Sequence, residues 1–308
     1  MKRTAQLTVW LCLSLSATIA PARAQFKILH SFAGGAGDGA YPYGGSLIQS
    51  GPTLYGMTTY GGSSNLGTIF KIGLDGTGFS LLHSFASGGS DGYLPEGSLI
   101  QDGSTLYGMT AYDGSSDGGT VFKVGIDGTG YSLLHTFTGG ASEGRVPYGS
   151  LIQSGSTLYG MTAGGGSGDI GTIFKIGTDG TGFSLLHSFT GGDGGSPNGS
   201  LIQSGSTLYG MTRIRGSFYD SGTVFQIRTD GTGFNLLHTF TGFSNGDGAA
   251  PYGSLLKIGP TLYGMTSSGG SGIGVGIIFS LVVPEPSTLA LAALAMLGPI
   301  QHGRRRKS

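Results

Sequence analysis

Five acidic residues recur at equivalent places in this chain: Asp38, Asp91, Glu143, Asp193 and Asp247, each followed by glycine. Carboxylates beside glycine-rich backbone suit two kinds of ligand. Calcium takes several oxygen ligands, and such loops could supply carbonyls next to each carboxylate. Hydroxyl-rich ligands such as glycans could donate hydrogen bonds to the same oxygens. The competing reading is a solvated turn, because acidic–glycine pairs also mark loop tips. Calcium is the one candidate cofactor. A second candidate is the pair Arg213 and Arg215, in a hairpin that runs on to Phe218, Tyr219 and Asp220. Guanidinium forks beside an aromatic could hold an anionic sugar or a carboxylate. Loop drift would produce the same residues without any ligand.

Catalytic chemistry finds less support. His30, His83, His135, His187 and His238 hold one place in every copy of a repeat. A catalytic histidine is needed once, so a five-fold one reads as structural. Glycoside hydrolysis needs two carboxylates at a set separation, and no repeat offers a singular pair. The segment Asp-Gly-Thr-Gly begins at Asp75, Asp127, Asp179 and Asp230. It lacks the further oxygen ligands of a calcium loop and is read as a hairpin turn.

All of these positions are carried by one repeated frame. Leu-Tyr-Gly-Met-Thr begins at Leu54, Leu106, Leu158, Leu208 and Leu262, at spacings of 52, 52, 50 and 54 residues. Each copy holds four short strand-like runs separated by turn signals. The runs are apolar on both faces, so each sheet must be covered on both sides by its neighbours. Four strands in about 50 residues is the rhythm of a β-propeller blade. A lone fourth-strand copy, Phe26 to Phe32, precedes the first unit, and the fifth unit lacks its fourth strand. Joining the two predicts an all-β fold: a propeller of five four-stranded blades, closed by the N-terminal strand. A β-solenoid is the alternative, though it would call for polar capping repeats. Long connections between repeats, such as Thr190 to Asn198, share one rim with the hairpins inside them. Each carries a proline, Pro42, Pro95, Pro147, Pro197 or Pro251, expected to fix an extended entry into the next strand.

Charge and cysteine bound the function. Of the 16 basic and 16 acidic residues, nine basic and fifteen acidic lie between Gln25 and Val283, leaving that body about six charges negative. No electrostatic footprint for nucleic acid is present. The single cysteine, Cys12, falls in the first 24 residues, so the body has no disulfide chemistry.

Residues 1–24 run from Lys2 and Arg3 through an apolar stretch to Ala22-Arg23-Ala24. That is the layout of a secretory signal peptide cut by signal peptidase between Ala24 and Gln25. Residues 25–283 form the repeat body. Residues 284–308 carry Pro284-Glu285-Pro286, an apolar run and a basic end, Arg304 to Lys307. Physics alone reads the run as a short tail held in the inner membrane, with positive charge inside. The three parts in this order resemble the PEP-CTERM sorting signal. That resemblance implies recognition by an exosortase, processing near Pro284-Glu285-Pro286, and release to the cell surface or extracellular matrix of an exopolysaccharide-producing Gram-negative bacterium. The repeats, with Leu-Tyr-Gly-Met-Thr and Gly-Thr-Ile-Phe-Lys-Ile, look like the GloVer tandem repeat, which transfers no catalytic residue. The expected function is a non-enzymatic binding module, with exopolysaccharide or another surface glycan as partner. The alternatives are a propeller enzyme acting on such a polymer and a structural spacer.

Overall fold

The computed structural model describes residues 24–43, 45–87, 91–113, 118–216, 221–242, 246–270 and 274–284. The leader before Ala24 and the tail from Glu285, including Pro286, lie outside the described residues. So does the stretch of the fourth hairpin from Ser217 to Asp220.

The described residues are all-β. The third repeat shows the unit: Ile152–Ser154, Thr157–Thr162, Thr172–Gly177 and Ser184–Ser188 pair in chain order as one antiparallel sheet. The first, second and fourth repeats give the same sheet, and the fifth gives its first three strands. The Asp-Gly-Thr-Gly turns join the third and fourth strands, where Asp179 Oδ1 accepts from the Thr181 amide at 2.9 Å and hydroxyl at 2.8 Å. This is a closed side-chain turn, repeated at Asp75, Asp127 and Asp230.

Sheets stack face to face. Tyr159, Met161, Ile173 and Phe189 of the third sheet pack on Leu201, Leu208, Phe225 and Ile227 of the fourth. Both faces of a strand are therefore apolar because each meets a different neighbour. A register shift between Ile173 and Phe174 leaves Leu186 as an extra residue on the outer strand. It uses that freedom to contact Gly231 in the turn of the next sheet.

The stack is wedge-shaped, and glycine makes the thin edge. A Cβ on Gly149 would sit 2.3 Å from the carbonyl oxygen of Gly199, and one on Gly97 would sit 2.6 Å from that of Gly149. Innermost strands thus touch backbone to backbone, while the outer parts of the sheets are held apart by phenylalanine and histidine rings. Amide-to-hydroxyl bonds follow the same edge: Ser46 to Ser98, Ser98 to Ser150, Ser150 to Ser200 and Ser200 to Ser254, at 2.8–3.0 Å. Blades that converge on one edge and diverge on the other radiate about an axis.

Two expectations need correction. Among the described residues the ring is not closed by strand pairing. Ile277–Val282 is laddered to Thr261–Ser268 alone, and residues 24–38 form no strand. The N-terminal segment is instead held on the first blade, where His30 stacks on Phe79 at 3.7 Å and Phe32 meets the edge of Phe70. The prolines do not follow an extended residue either. Tyr41, Leu94, Val146, Ser196 and Ala250, each just before a loop proline, have φ between 49° and 57°. The left-handed backbone is over-determined by the neighbouring blade. The amides of Leu94, Val146, Ser196 and Ala250 donate to Leu66, Gly118, Ile170 and Ser221 at 2.6–2.9 Å. Each following proline ring lies over a hairpin glycine, as Pro197 does over Gly171.

Candidate functional site at the hub mouth

The five acidic residues do lie in the connections between blades, but they are already occupied. Nε2 of His30, His83, His135, His187 and His238 lies 3.0, 2.9, 2.8, 2.7 and 3.1 Å from Asp38, Asp91, Glu143, Asp193 and Asp247. The remaining lone pairs of the aspartates accept backbone amides: Ala33 and Gly39 for Asp38, Ala86 and Gly92 for Asp91, Thr190 for Asp193, and Thr241 for Asp247. Burial of Asp38, Asp91, Asp193 and Asp247 works against the charged form, but their hydrogen bonds outweigh it and the carboxyls sit below the usual aspartate value. Each pair ties a loop to the strand it leaves. The carboxylates do not form a ring facing outward, and among the described residues no three His, Cys, Asp or Glu side chains gather as a metal site.

The rim has a different candidate site, one residue beyond each loop proline. Those positions are Tyr43, Glu96, Tyr148, Asn198 and Tyr252. Four of them immediately precede the glycines of the inner edge, Gly97, Gly149, Gly199 and Gly253, so they flank the mouth of the hub. Asn198 Nδ2 donates to the Tyr252 hydroxyl at 3.3 Å, linking the fourth and fifth blades. Tyr148, from the third blade, hydrogen-bonds Tyr112 and lies within the electrostatic reach of Glu96 and Tyr252. Burial first, then Tyr112 and these neighbours, hold its phenol well above the ordinary value. Burial alone pushes the Glu96 carboxyl up.

Aromatic and cationic groups extend the mouth. Tyr93 stacks on Tyr112 with centroids 5.6 Å apart, and Tyr41 stacks on Tyr43 at the same distance. Tyr60 meets Tyr41 edge-on at 5.7 Å. Arg213 places its guanidinium 5.8 Å from the centre of the Tyr252 ring, so it joins this cluster. Arg215 is exposed and lies instead beside Gly191 in the preceding loop. Of the residues singled out from sequence, Arg213 alone belongs to the mouth. The mouth left a trace in the sequence: in a loop that keeps its proline, the next residue varies as tyrosine, glutamate or asparagine.

Antiparallel four-stranded blades converging on a glycine hub define the protein as a β-propeller. Residues 16–219 match the model of the Gloeobacter/Verrucomicrobia repeat, and the chain belongs to that family. Residues 282–307 match the PEP-CTERM protein-sorting motif, which marks an extracellular protein sorted and processed by exosortase. Both resemblances read from the sequence are borne out.

Comparison with curated proteins gives no match. Among solved structures, a chain of a nidogen/laminin complex is similar at 18% identity and a TM-score of 0.47, over 75% of this chain and 72% of that one. A putative TolB from Agrobacterium tumefaciens shares 13% identity, with a TM-score of 0.42 over 76% and 72%. An exo-beta-1,3-galactanase from Phanerochaete chrysosporium shares 13%, with a TM-score of 0.45 over 81% and 62%.

Proposed function

We propose that this exosortase-sorted propeller is a non-enzymatic glycan-binding module of the cell surface or matrix, and that the hub mouth is its binding face. One observation carries the reading: Tyr93, Tyr112, Tyr148 and Tyr252 come together with Glu96, Asn198 and Arg213 in one chain of contacts. Tyrosine offers a flat apolar face for the C–H side of a sugar ring and a hydroxyl for its polar edge, at small entropic cost. Asparagine, glutamate and arginine supply the donors and acceptors that hydroxyl-rich rings require. The mouth presents one carboxylate after the loop prolines, Glu96, whereas glycoside hydrolysis calls for two. That favours binding over turnover.

The test is calorimetric titration of the exported protein with the exopolysaccharide of its own host, alongside an assay for new reducing ends. Binding lost in Tyr148→Ala and Tyr252→Ala, with no oligosaccharide released, supports the proposal. Released product would assign an enzyme, and no heat with any matrix polymer would leave a spacer.

A further inference from the structure

The two ends of the blade array are the two halves of one interface. The first three blade junctions are built the same way. The outer strand of one blade lies between its own third strand and the face of the next blade. Its histidine stacks at 3.7 Å on an aromatic that opens the next outer strand: His83 on Tyr131, His135 on Phe183 and His187 on Phe234. Three side chains of the trailing face, such as Tyr107, Met109 and Val121, then fill the space against the next blade.

At the fifth blade the trailing half stands open. Tyr263, Met265 and Ile278 occupy those three places and are 38%, 59% and 81% exposed. The free edge of Ile277–Val282 has no ladder partner among the described residues. Among the described residues no aromatic stacks on His238, and a cavity of about 180 Å³ opens beside it, lined by Phe240, Asp247 and Phe279. At the first blade the leading half stands open. A groove of about 490 Å³ runs over Leu47, Leu54, Phe70 and Ile72, bordered by the N-terminal segment. That segment already sits as an outer strand should against the blade that follows it: Leu29 meets Gly76 as Leu82 meets Gly128, and His30 stacks on Phe79. By the same register Phe26, 91% exposed, is the aromatic that would cover His238.

The halves also compensate in charge. A lysine on the third strand lies near the turn aspartate of the next blade at Lys71–Asp127 and Lys123–Asp179. The fifth blade has Ser280 in that place, while Lys27 in the N-terminal segment reaches the Asp75 carbonyl. Among the described residues of one chain the halves do not meet. The hub contacts stop at Gly253, whose Cβ position is open, and the bond that would run on from Ser254 to Ser46 is not made.

We propose that the first-blade end of a second copy docks on the fifth blade, with its Phe26–Phe32 segment completing the fifth sheet as the fourth strand. Phe26 fills the cavity beside His238, and Tyr263, Met265 and Ile278 enter the groove over Leu47 and Phe70. The contact is heterologous, so repetition joins copies head to tail. It is independent of the glycan reading.

The internal ladders pair Lys71 with Ser80 and Lys175 with Ser184, which places Lys27 opposite Ser280 at the new seam. The experiment uses Cys12→Ser as background, removing the one natural thiol. Lys27→Cys and Ser280→Cys are made in separate chains, mixed and mildly oxidised. A reducible dimer in the mixture is expected, absent from either variant alone, and Phe26→Asp added to the Lys27→Cys chain should reduce its yield at least ten-fold. Sedimentation of the unmodified protein should show its mass rising with concentration. Two results overturn the proposal. One is no dimer in the mixture while a chain carrying both cysteines forms its disulfide internally and stays monomeric, which would mean that the ring closes on itself. The other is no disulfide in any combination.

Discussion

Nε2 of His187 lies 2.7 Å from Oδ2 of Asp193, and the same imidazole stacks on Phe234 of the next blade at 3.7 Å. One side chain therefore pins a loop on one side and a blade junction on the other. His187→Ala removes a charge-assisted bond and an aromatic contact together. A loss of about 2 kcal/mol is expected, read as a lower midpoint in urea. Asp193→Asn keeps the loop polar and should cost less than half as much. Equal losses would show that the stack contributes nothing.

The carboxylates of Asp38, Asp91, Asp193 and Asp247 are held below the usual aspartate value, so their stabilisation has a defined sign. The unfolded chain binds protons first as pH falls, near the ordinary value of about 3.9. The contribution is complete above that value and is lost as pH drops through the lower folded values. Thermal midpoints should fall steeply below about pH 4. Asp91→Asn should flatten that acid limb. The same oxygens are filled by imidazole and amide donors, so calcium and chelator should leave the midpoint at pH 7 unchanged. A calcium-dependent rise would show that the loops can be prised off their histidines.

The hub makes a sharper demand. A methyl group on Gly149 would lie 2.3 Å from the Gly199 carbonyl oxygen, which belongs to backbone and cannot swing aside. Gly149→Ala should cost about 1–3 kcal/mol, the usual range for overpacking. Gly155→Ala makes a useful contrast in space, since nothing lies within 4 Å of that position, although its φ of 58° adds conformational strain. If Gly149→Ala were neutral, the blades would not touch at their inner edges as described.

Much of the fold was legible because the repeat writes it five times. Periodicity fixed the strand count per blade, and apolar residues on both strand faces called for stacked neighbours. The acidic loop residues were visible too, but their purpose was not. A carboxylate and the histidine that neutralises it stand eight residues apart in the first three pairs, as at His83 and Asp91, and six and nine apart in the fourth and fifth; that near-regular spacing was the available clue. Ring closure could not be read from the spare strand, because sequence shows that two edges match without showing whether they meet. The left-handed residue before each proline was also hidden. Proline normally steers its predecessor to extended backbone, and here the amide bond to the previous blade overrides that preference.

The mouth gives the most direct functional prediction. Tyr148→Ala and Tyr252→Ala each remove an aromatic platform, so each should weaken polysaccharide binding by about ten-fold or more, on the scale of other anchor residues. Arg213→Ala should act more strongly on acidic polymers than on neutral ones, since the guanidinium beside Tyr252 is the cation placed there. Calorimetry on matched acidic and neutral polysaccharides separates the two. An equal loss on both would make Arg213 a support for the Tyr252 ring rather than a ligand.

Ser196 joins stability to that site. Its φ of 49° strains a residue with a Cβ, and the amide bond to Ile170 at 2.6 Å holds it there, two residues before Asn198. Strain of this kind is about 1–3 kcal/mol and gathers where geometry is functional. Ser196→Gly relieves it but adds backbone freedom to the unfolded chain, worth about 0.5–1 kcal/mol. A net stabilisation of about 1 kcal/mol is expected, measured by urea melts. The same freedom loosens the path from Ile170 to Asn198 and hence the bond to the Tyr252 hydroxyl. Ligand affinity should therefore fall while stability rises. A variant that gained both would show that the left-handed turn serves folding alone, and that the mouth is positioned by the proline and the glycine hub beneath it.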